Sequence, residues 1–212
     1  MPIEPSELDS VTELADLERR LQGCERCRLA KSRTNLVFGV GNPQAKLVFV
    51  GEAPGANEDR EGYPFVGAAG KLLDEMLITV LSLTRKEVYI CNVNKCRPPN
   101  NRDPLPEEVA ACRPYLLKQL ALIKPLIICT LGNFATRAVL EQEVYISRVH
   151  GQVVAHQDYK VFPSYHPAAA LYARATKDTL VADFQTLAGL LVKETALRSD
   201  DNTRDSSQLG LF

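Results

Sequence analysis

The chain lacks most of the features that would place it in a specialised class of protein. It has no Trp and only three His among 212 residues, and its 25 Lys and Arg are balanced by 26 Asp and Glu. A net charge of -1 excludes a nucleic-acid binder that depends on bulk positive charge, so any such site must be confined to one face. The longest apolar runs are too short to cross a bilayer, and the N-terminal residues lack the pattern of a signal peptide. We therefore expect a cytoplasmic protein with no membrane segment.

The pattern of apolar residues predicts one domain in which strands alternate with helices. It predicts strands at 46–52, 88–93, 125–131 and 160–166. It predicts helices at 10–22, 68–83, 106–123, 133–140 and 177–194. Each strand is continuously apolar, which is typical of a parallel sheet covered by helices on both faces. We expect an α/β domain over residues 1–197, followed by a flexible polar tail over 198–212.

Polar loops follow the predicted strands, where ligands bind in sheets of this kind. Glu52 and His166 stand at two of these strand ends. A carboxylate there could orient a water molecule, and an imidazole could donate a hydrogen bond to developing negative charge. A solvated loop acid and a structural histidine are the alternatives. The loop at 51–55 lacks the signatures of a P-loop and of a dinucleotide fold, so it does not indicate a nucleotide-binding enzyme.

The cysteines suggest a metal site, because a chain without an export signal is not expected to form disulfides. A close Cys-x2-Cys pair and two distant thiols provide four candidate ligands: Cys24, Cys27, Cys96 and Cys112. This set could hold zinc or an iron–sulfur cluster, and the spacing alone does not distinguish them. Cys91 and Cys129 lie inside predicted strands and are expected to fill the core.

Three cations surround Cys96 in the sequence: Lys95, Arg97 and Arg102. They provide enough charge for contacts to phosphates in spite of the neutral total. A basic loop that is merely solvated is an equally good interpretation.

Taken together, these segments resemble the family 4 uracil-DNA glycosylases, the iron–sulfur members of the uracil-DNA glycosylase superfamily. The matching stretches occur in the family's order, at 24–29, 51–59, 62–67, 91–102, 112–114 and 165–169. The resemblance implies a three-layer α/β/α sandwich with a four-stranded parallel sheet. It also implies a structural four-iron four-sulfur (4Fe–4S) cluster on the four candidate cysteines.

The reaction implied by the resemblance is hydrolysis of the bond between uracil and deoxyribose in single- or double-stranded DNA, which starts base excision repair. The nucleotide is flipped into a pocket, because its target bond is inaccessible within a duplex. By the same resemblance, uracil stacks on Phe65, the Asn92 amide pairs with its O4 and N3–H, and His166 hydrogen-bonds O2. Gly51 and Ala53 belong to the loop whose backbone N–H groups assist.

Two positions in the first motif depart from the better-known uracil-DNA glycosylases. Ala53 stands where those enzymes have a water-activating aspartate, so Glu52 is the candidate for orienting the water. Gly55 replaces a bulky tyrosine, which leaves the exclusion of thymine open. No histidine-bearing insertion follows Gly55, so we expect simple hydrolysis rather than a covalent adduct.

The resemblance extends to DNA contacts beyond the pocket. Leu171 is expected to enter the space left by the flipped base, and Arg174 to contact a phosphate, although the intervening sequence departs from the family's usual pattern. The C-terminal residues are similar to peptides that dock on the bacterial sliding clamp. The anchors implied by this similarity are Gln208, Leu209, Leu211 and Phe212.

Two other classes of protein compete with the enzyme. One is a noncatalytic iron–sulfur module that binds DNA at the replisome, which the missing aspartate and the clamp-like tail would suit. The other is a zinc-stabilised nucleotide-binding α/β protein, which the absent phosphate motifs disfavour. The presence of Phe65, Asn92 and His166 together favours the glycosylase, and we expect a monomer.

Overall fold

A six-stranded sheet organises the chain. The computed structural model describes the backbone of residues 3–208 and the side chains of residues 3–198. The strands are β1 (Val40–Gly41), β2 (Leu47–Gly51), β3 (Tyr89–Asn92), β4 (Ile127–Leu131), β5 (Val154–His156) and β6 (Tyr159–Ser164). Their order is β1-β3-β2-β4-β6-β5. The inner four are parallel, and the two edge strands are antiparallel to their neighbours.

The predicted four-stranded parallel sheet is therefore confirmed as the inner part of a larger mixed sheet. The two edge strands were missed because they are only two and three residues long and lack buried residues. Runs of that length carry no readable alternation of apolar and polar side chains.

Eight α-helices surround the sheet in the described part of the chain. They are α1 (Leu14–Leu21), α2 (Ala56–Glu61), α3 (Ala68–Met76), α4 (Pro106–Ile123), α5 (Asn133–Leu140), α6 (Ile146–Val149), α7 (Pro167–Ala170) and α8 (Arg174–Gln208). Short 3-10 turns occur at Pro5–Ser10, Arg28–Lys31 and Pro99–Asn101, and a π-helical turn at Leu77–Leu81 extends α3. Among these residues no helix is both long and apolar enough to span a membrane.

The last helix differs from its predicted length. It extends past the predicted end at 194 to Gln208, into the segment expected to be a flexible tail. Of the expected clamp anchors, Gln208 is described only in its backbone. Leu209, Leu211 and Phe212 lie outside the described residues.

Helices cover both faces of the sheet, as the three-layer prediction requires. Alternate side chains of a strand point to opposite faces. In β2, Leu47 and Phe49 join the cluster formed with α3 and α8, whereas Val48 and Val50 join the cluster formed with α4 and α5. Each inner strand therefore buries both of its faces.

A third apolar cluster fastens the N-terminal segment to α4. Leu17 and Leu21 of α1 pack with Ile3 and with Tyr115 of α4. The Tyr115 hydroxyl donates a hydrogen bond to the Ile3 carbonyl at 2.8 Å. This packing brings the chain just after α1, where the Cys-x2-Cys pair lies, against α4 and the loop before it.

Candidate functional site

A cavity of about 470 Å³ opens where β2, β3 and β6 end. Its walls come from the loops that follow these strands, from α2 and α3, and from the start of α7. Six residues predicted from the sequence line it: Glu52, Ala53, Phe65, Asn92, Arg102 and His166. The parallel sheet therefore gathers residues separated by more than a hundred positions, because the carboxyl ends of its strands share one edge.

Gly51 ends β2 in close contact with two residues that line the cavity. A Cβ at this position would lie 2.7 Å from Cζ of Phe65 and would overlap Oδ1 of Asn92. Only glycine permits the backbone of β2 to approach these two side chains so closely. Its contribution to the site is space for their packing.

Asn92 presents a buried amide to the cavity. The residue is 2% exposed at the end of β3. Its backbone carbonyl accepts a hydrogen bond from Nζ of Lys95 at 2.6 Å, but within residues 3–198 its side-chain amide has no hydrogen-bond partner. Its amide atoms are not among the fully buried unpaired ones, so they open into the cavity and are available to the polar edge of a bound ligand.

His166 is held in one neutral tautomer. Burial lowers its pKa to about 4, although the nearby Glu58 carboxylate opposes the shift. Nδ1 accepts a hydrogen bond from the backbone N–H of Ala168 at 3.1 Å. Since Nδ1 is the acceptor, the proton of the neutral ring lies on Nε2, which is then a donor.

Phe65 stacks against this imidazole from the facing loop. The ring centroids of Phe65 and His166 are 5.5 Å apart, with 26° between the planes. Phe65 has a φ of 56°, a left-handed conformation that is strained for an aromatic residue. The guanidinium of Arg85 donates to the carbonyl of Phe65 and, at 3.0 Å, to that of Pro64. Arg85 is itself paired with Asp74 of α3.

Glu58 joins the two loops that form one side of the cavity. Its Oε2 accepts from the backbone N–H of Gly55 at 3.1 Å, and its Oε1 accepts from those of Val66 and Gly67 at 2.9 Å each. Glu58 was not among the residues predicted for the site. The signal was present, because a glutamate three residues after Gly55 has capping-box spacing at the start of a short helix.

Glu52 is a carboxyl group with unusual acidity at the cavity wall. Burial raises its pKa to about 7, and the negative charge of Asp103 adds to the shift. The group therefore exchanges its proton near neutral pH and suits a general base or a water-orienting role. Ala53 beside it lines the cavity without a side-chain oxygen.

Two of the cations predicted to contact phosphates make hydrogen bonds within the protein. Lys95 is 1% exposed, and its ammonium group is turned inward to the Asn92 carbonyl, so the structure does not place it on a DNA-facing surface. Arg102 lines the cavity, but its guanidinium makes two hydrogen bonds of 2.7 and 2.8 Å to the buried carboxylate of Glu108. Hydrogen bonds from Arg102 in turn lower the pKa of Glu108.

The other predicted DNA contacts remain on the surface. Arg97 donates to the Asn101 side chain at 2.7 Å. Leu171 is 38% exposed just beyond α7, two residues from the cavity-lining Ala169, and Arg174 is exposed at the first position of α8.

The four candidate cysteines meet around a second cavity. Cys24, Cys27, Cys96 and Cys112 line it, between the end of α1 and α4. Arg33 donates to the sulfur of Cys96 at 3.4 Å, and the backbone N–H of Lys95 donates to that of Cys112 at 3.3 Å. Four cysteine sulfurs are the donor set of a 4Fe–4S cluster.

No three His, Cys, Asp or Glu side chains in the described part of the chain are grouped closely enough to bind a single metal ion. The four thiols instead line one cavity together. Cys91 and Cys129 are fully buried in β3 and β4, which confirms their expected place in the core.

The chain is similar in sequence to one family of known proteins. The model of the uracil DNA glycosylase superfamily matches residues 38–188. The chain is 48% identical over 189 residues to a type-4 uracil-DNA glycosylase of Archaeoglobus fulgidus, with 85% of this chain and 94% of that protein covered. It is 44% identical over 211 residues to a type-4 uracil-DNA glycosylase of Saccharolobus solfataricus, with 96% and 94% covered. A type-5 uracil-DNA glycosylase of Pyrobaculum aerophilum is 31% identical over 185 residues, with 72% and 81% covered.

Proposed function

Because the chain belongs to the uracil-DNA glycosylase superfamily and, within it, to the type-4 uracil-DNA glycosylases, we propose that it hydrolyses the bond between uracil and deoxyribose in DNA. The observation that carries this function is the cavity-facing amide of Asn92, which has no hydrogen-bond partner among residues 3–198, in the same cavity as Phe65 and the neutral His166. A protein that only bound DNA would have no use for this combination. The reaction removes deaminated cytosine and begins base excision repair.

Recognition of uracil rests on Asn92 and Phe65. The amide N–H of Asn92 donates to O4 of a flipped uracil, and its carbonyl oxygen accepts from N3–H. Cytosine presents an amine and a bare nitrogen at these places, which leaves the buried amide facing mismatched partners. The ring of Phe65 provides the apolar face on which the base stacks.

His166 stabilises the departing base. As the bond from C1′ to N1 breaks, its electron pair moves to uracil, and negative charge develops on O2. The Nε2–H of His166 donates to this oxygen, and its neutral state avoids the cost of burying a charge. Backbone N–H groups of the 51–55 loop add to the same stabilisation.

Glu52 orients the attacking water. The oxygen of this water bonds to C1′ as uracil leaves, and a proton of the water passes to the Glu52 carboxylate. Since Ala53 has no oxygen to offer, the adjacent carboxyl at the cavity wall takes the place of the aspartate found in better-known enzymes. Its pKa of about 7 leaves a large share ionised at neutral pH.

Cys24, Cys27, Cys96 and Cys112 would hold a 4Fe–4S cluster. When bound, the cluster supplies four iron–thiolate links that fasten the N-terminal segment to α4 and to the loop after β3, without redox turnover. Arg33 and the backbone of Lys95 orient two of the sulfurs through hydrogen bonds. Colour and iron content of the purified protein distinguish the cluster from zinc.

Partners and location complete the proposal. Arg97, Leu171 and Arg174 contact the DNA around the flipped nucleotide, and the protein acts as a monomer in the cytoplasm. The residues 208–212 dock on a sliding clamp. Removal of Leu211 and Phe212 is expected to abolish clamp binding in a pull-down while uracil release from short oligonucleotides continues, and an unaltered clamp affinity would contradict the docking.

The test of the function is uracil release from a uracil-containing oligonucleotide by cluster-intact protein. The parent is expected to release uracil, and His166→Ala and Asn92→Ala to lose about 100-fold or more of the rate. Binding to the same oligonucleotide serves as the control for folding of both variants. Absence of release by the parent, with DNA binding retained, would indicate the noncatalytic module instead.

A further inference from the structure

An arginine–tyrosine–arginine cluster lies on the surface between α5 and β5. Arg137 belongs to α5, Tyr145 precedes α6, and Arg148 belongs to α6. The guanidinium carbons of Arg137 and Arg148 are 5.5 and 5.6 Å from the centre of the Tyr145 ring. Tyr145 is 59% exposed, so this packing is not a burial requirement of the core.

Two sets of contacts tie this cluster to the strand end that carries His166. On one side, Oδ1 of Asn133 accepts a hydrogen bond from the backbone N–H of Ile146 at 2.7 Å. Asn133 follows Gly132, where a Cβ would lie 3.3 Å from Cβ of His166. The start of α6 is thus connected to His166 through two consecutive residues, Gly132 and Asn133.

On the other side, His150 directly follows α6 and packs on Tyr165, with ring centroids 4.7 Å apart. Its Nδ1 lies 2.9 Å from the Asp183 carboxylate, which also accepts from Ser164 at the end of β6. Tyr165 immediately precedes His166. Both flanks of α6 therefore rest on the residues next to His166, and the cluster lies at the same edge of the sheet as the cavity.

The charges of the cluster are unequal. Nε of Arg137 is 3.3 Å from the Glu143 carboxylate, which partly neutralises it. The Arg148 guanidinium has no hydrogen bond and no carboxylate partner among residues 3–198. A guanidinium that is ordered on an aromatic ring loses less entropy when it forms a fork of hydrogen bonds, and phosphate oxygens match that fork.

We infer that Arg148, which is ordered by Tyr145 and lies outside the cavity lining, binds a backbone phosphate of the DNA strand beyond the two phosphates that join the flipped uracil nucleotide to its neighbours. The inference rests on uracil-containing DNA as the substrate. It adds a contact on the α6 side of the cavity, away from the Leu171 and Arg174 positions. Tyr145 is the positioning residue, and Arg148 is the ligand of the phosphate.

The experiment compares Arg148→Ala with Lys193→Ala in the cluster-intact full chain. Lys193 is exposed on α8 beside Glu194, which pairs with Lys160 at the start of β6 and hence at the opposite edge of the sheet. Both variants lose one positive charge. For a long single-stranded substrate, we expect Arg148→Ala to lower kcat/KM about 5- to 10-fold through KM. In Arg148→Ala, the slope of log kcat/KM against the logarithm of the salt concentration should be shallower than in the parent by about 0.7, the value for one phosphate of a single strand.

Two further measurements make the result specific. Tyr145→Ala should raise KM as Arg148→Ala does, whereas Tyr145→Phe should retain the parent's KM, because the ring alone orders the guanidinium. With a uracil-containing trinucleotide, the loss in Arg148→Ala should shrink below twofold. An Arg148→Ala salt slope equal to that of Lys193→Ala, or an equal loss on the trinucleotide, would overturn the inference. If the parent released no uracil, the proposed function would fail instead, and the two failures are thus distinguished.

Discussion

The backbone N–H of Ala168 points at Nδ1 of His166, 3.1 Å away. This single contact determines which ring nitrogen carries the proton, and so converts a histidine next to a proline into a donor aimed at the cavity. The lowered pKa of the ring, about 4, acts in the same direction, because a protonated ring could not accept the Ala168 hydrogen bond. The sequence His-Pro-Ala therefore supplies both the hydrogen-bond donor, His166, and the group that orients it, the backbone N–H of Ala168.

The pH dependence of the reaction should report on Glu52. Burial raises its pKa to about 7, so the carboxylate that accepts the proton of water is lost as the pH falls below that value. We expect kcat/KM to fall about tenfold per pH unit on the acid side of pH 7. Neutral His166 persists well below this range and adds no limb there. Glu52→Gln should release uracil slowly, and its kcat/KM should change little between about pH 5 and about pH 8, because the group that titrates near pH 7 is absent. An acid limb that persists in this variant would show that another group causes the limb.

Arg85 should be a positioning residue for Phe65. Arg85→Ala leaves the carbonyls of Pro64 and Phe65 without their donor, and we expect a loss of about 1–3 kcal/mol in stability and a raised KM. Asp74→Asn is the matched control, since it removes the charge partner of Arg85 but leaves the donors to the Phe65 loop. Thermal melting and uracil-release kinetics measure both effects. A KM change as large in Asp74→Asn would mean that the ion pair, rather than the carbonyl contacts, orders the loop.

Two glycines should respond in opposite directions to one added methyl group. Gly51→Ala forces apart Asn92 and Phe65, and the overpacking should cost about 1–3 kcal/mol together with most of the activity. Gly189 lies within α8 with no atom near its prospective Cβ, so Gly189→Ala should stabilise the protein by about 0.5–1 kcal/mol and leave uracil release as in the parent. Melting temperatures and rates test the pair. Full activity in Gly51→Ala would show that the cavity tolerates displacement of its base-reading side chains.

Substitution of a candidate cluster ligand should remove iron from the protein, whereas substitution of a core cysteine should not. Cys24→Ala is expected to lose iron and visible colour and to speed hydrogen exchange in the 24–36 segment, because the segment loses a link to α4. Cys129→Ala removes an equally polarisable sulfur from β4 and should retain the iron. Iron analysis and exchange measured by mass spectrometry follow the two variants. Retention of all iron in Cys24→Ala would remove that residue from the ligand set.

The inner sheet and several of its strand-end residues could be predicted from the sequence because long apolar runs are local signals. Asn92 and His166 follow such runs directly, and parallel strands bring their ends to one edge. The supporting contacts could not be predicted in this way. Arg85 reaches Phe65 across twenty positions through backbone carbonyls, which leave no trace in residue type.

Lys95 illustrates the opposite limit of sequence reasoning. Its neighbours Arg97 and Arg102 made it one member of a basic loop, and a lysine is rarely fully buried. In the fold its ammonium group turns inward and donates a hydrogen bond to the backbone carbonyl of Asn92. Lys95 therefore helps to fix the position of the residue whose amide reads the base. Charge patterning counts cations but does not determine which way each side chain turns.

The left-handed backbone of Phe65 has a consequence for the durability of the enzyme. An aromatic residue at a φ of 56° costs about 1–3 kcal/mol, which the contacts of Arg85 and Glu58 offset. The surrounding contacts therefore hold this part of the cavity wall in a strained conformation, and the protein is less stable than it would be with an unstrained loop. Selection for thermal stability alone would favour substitutions that relieve the strain in this loop, and these would lower the activity. A variant that keeps the conformation of Phe65 must gain its stability from substitutions elsewhere in the chain.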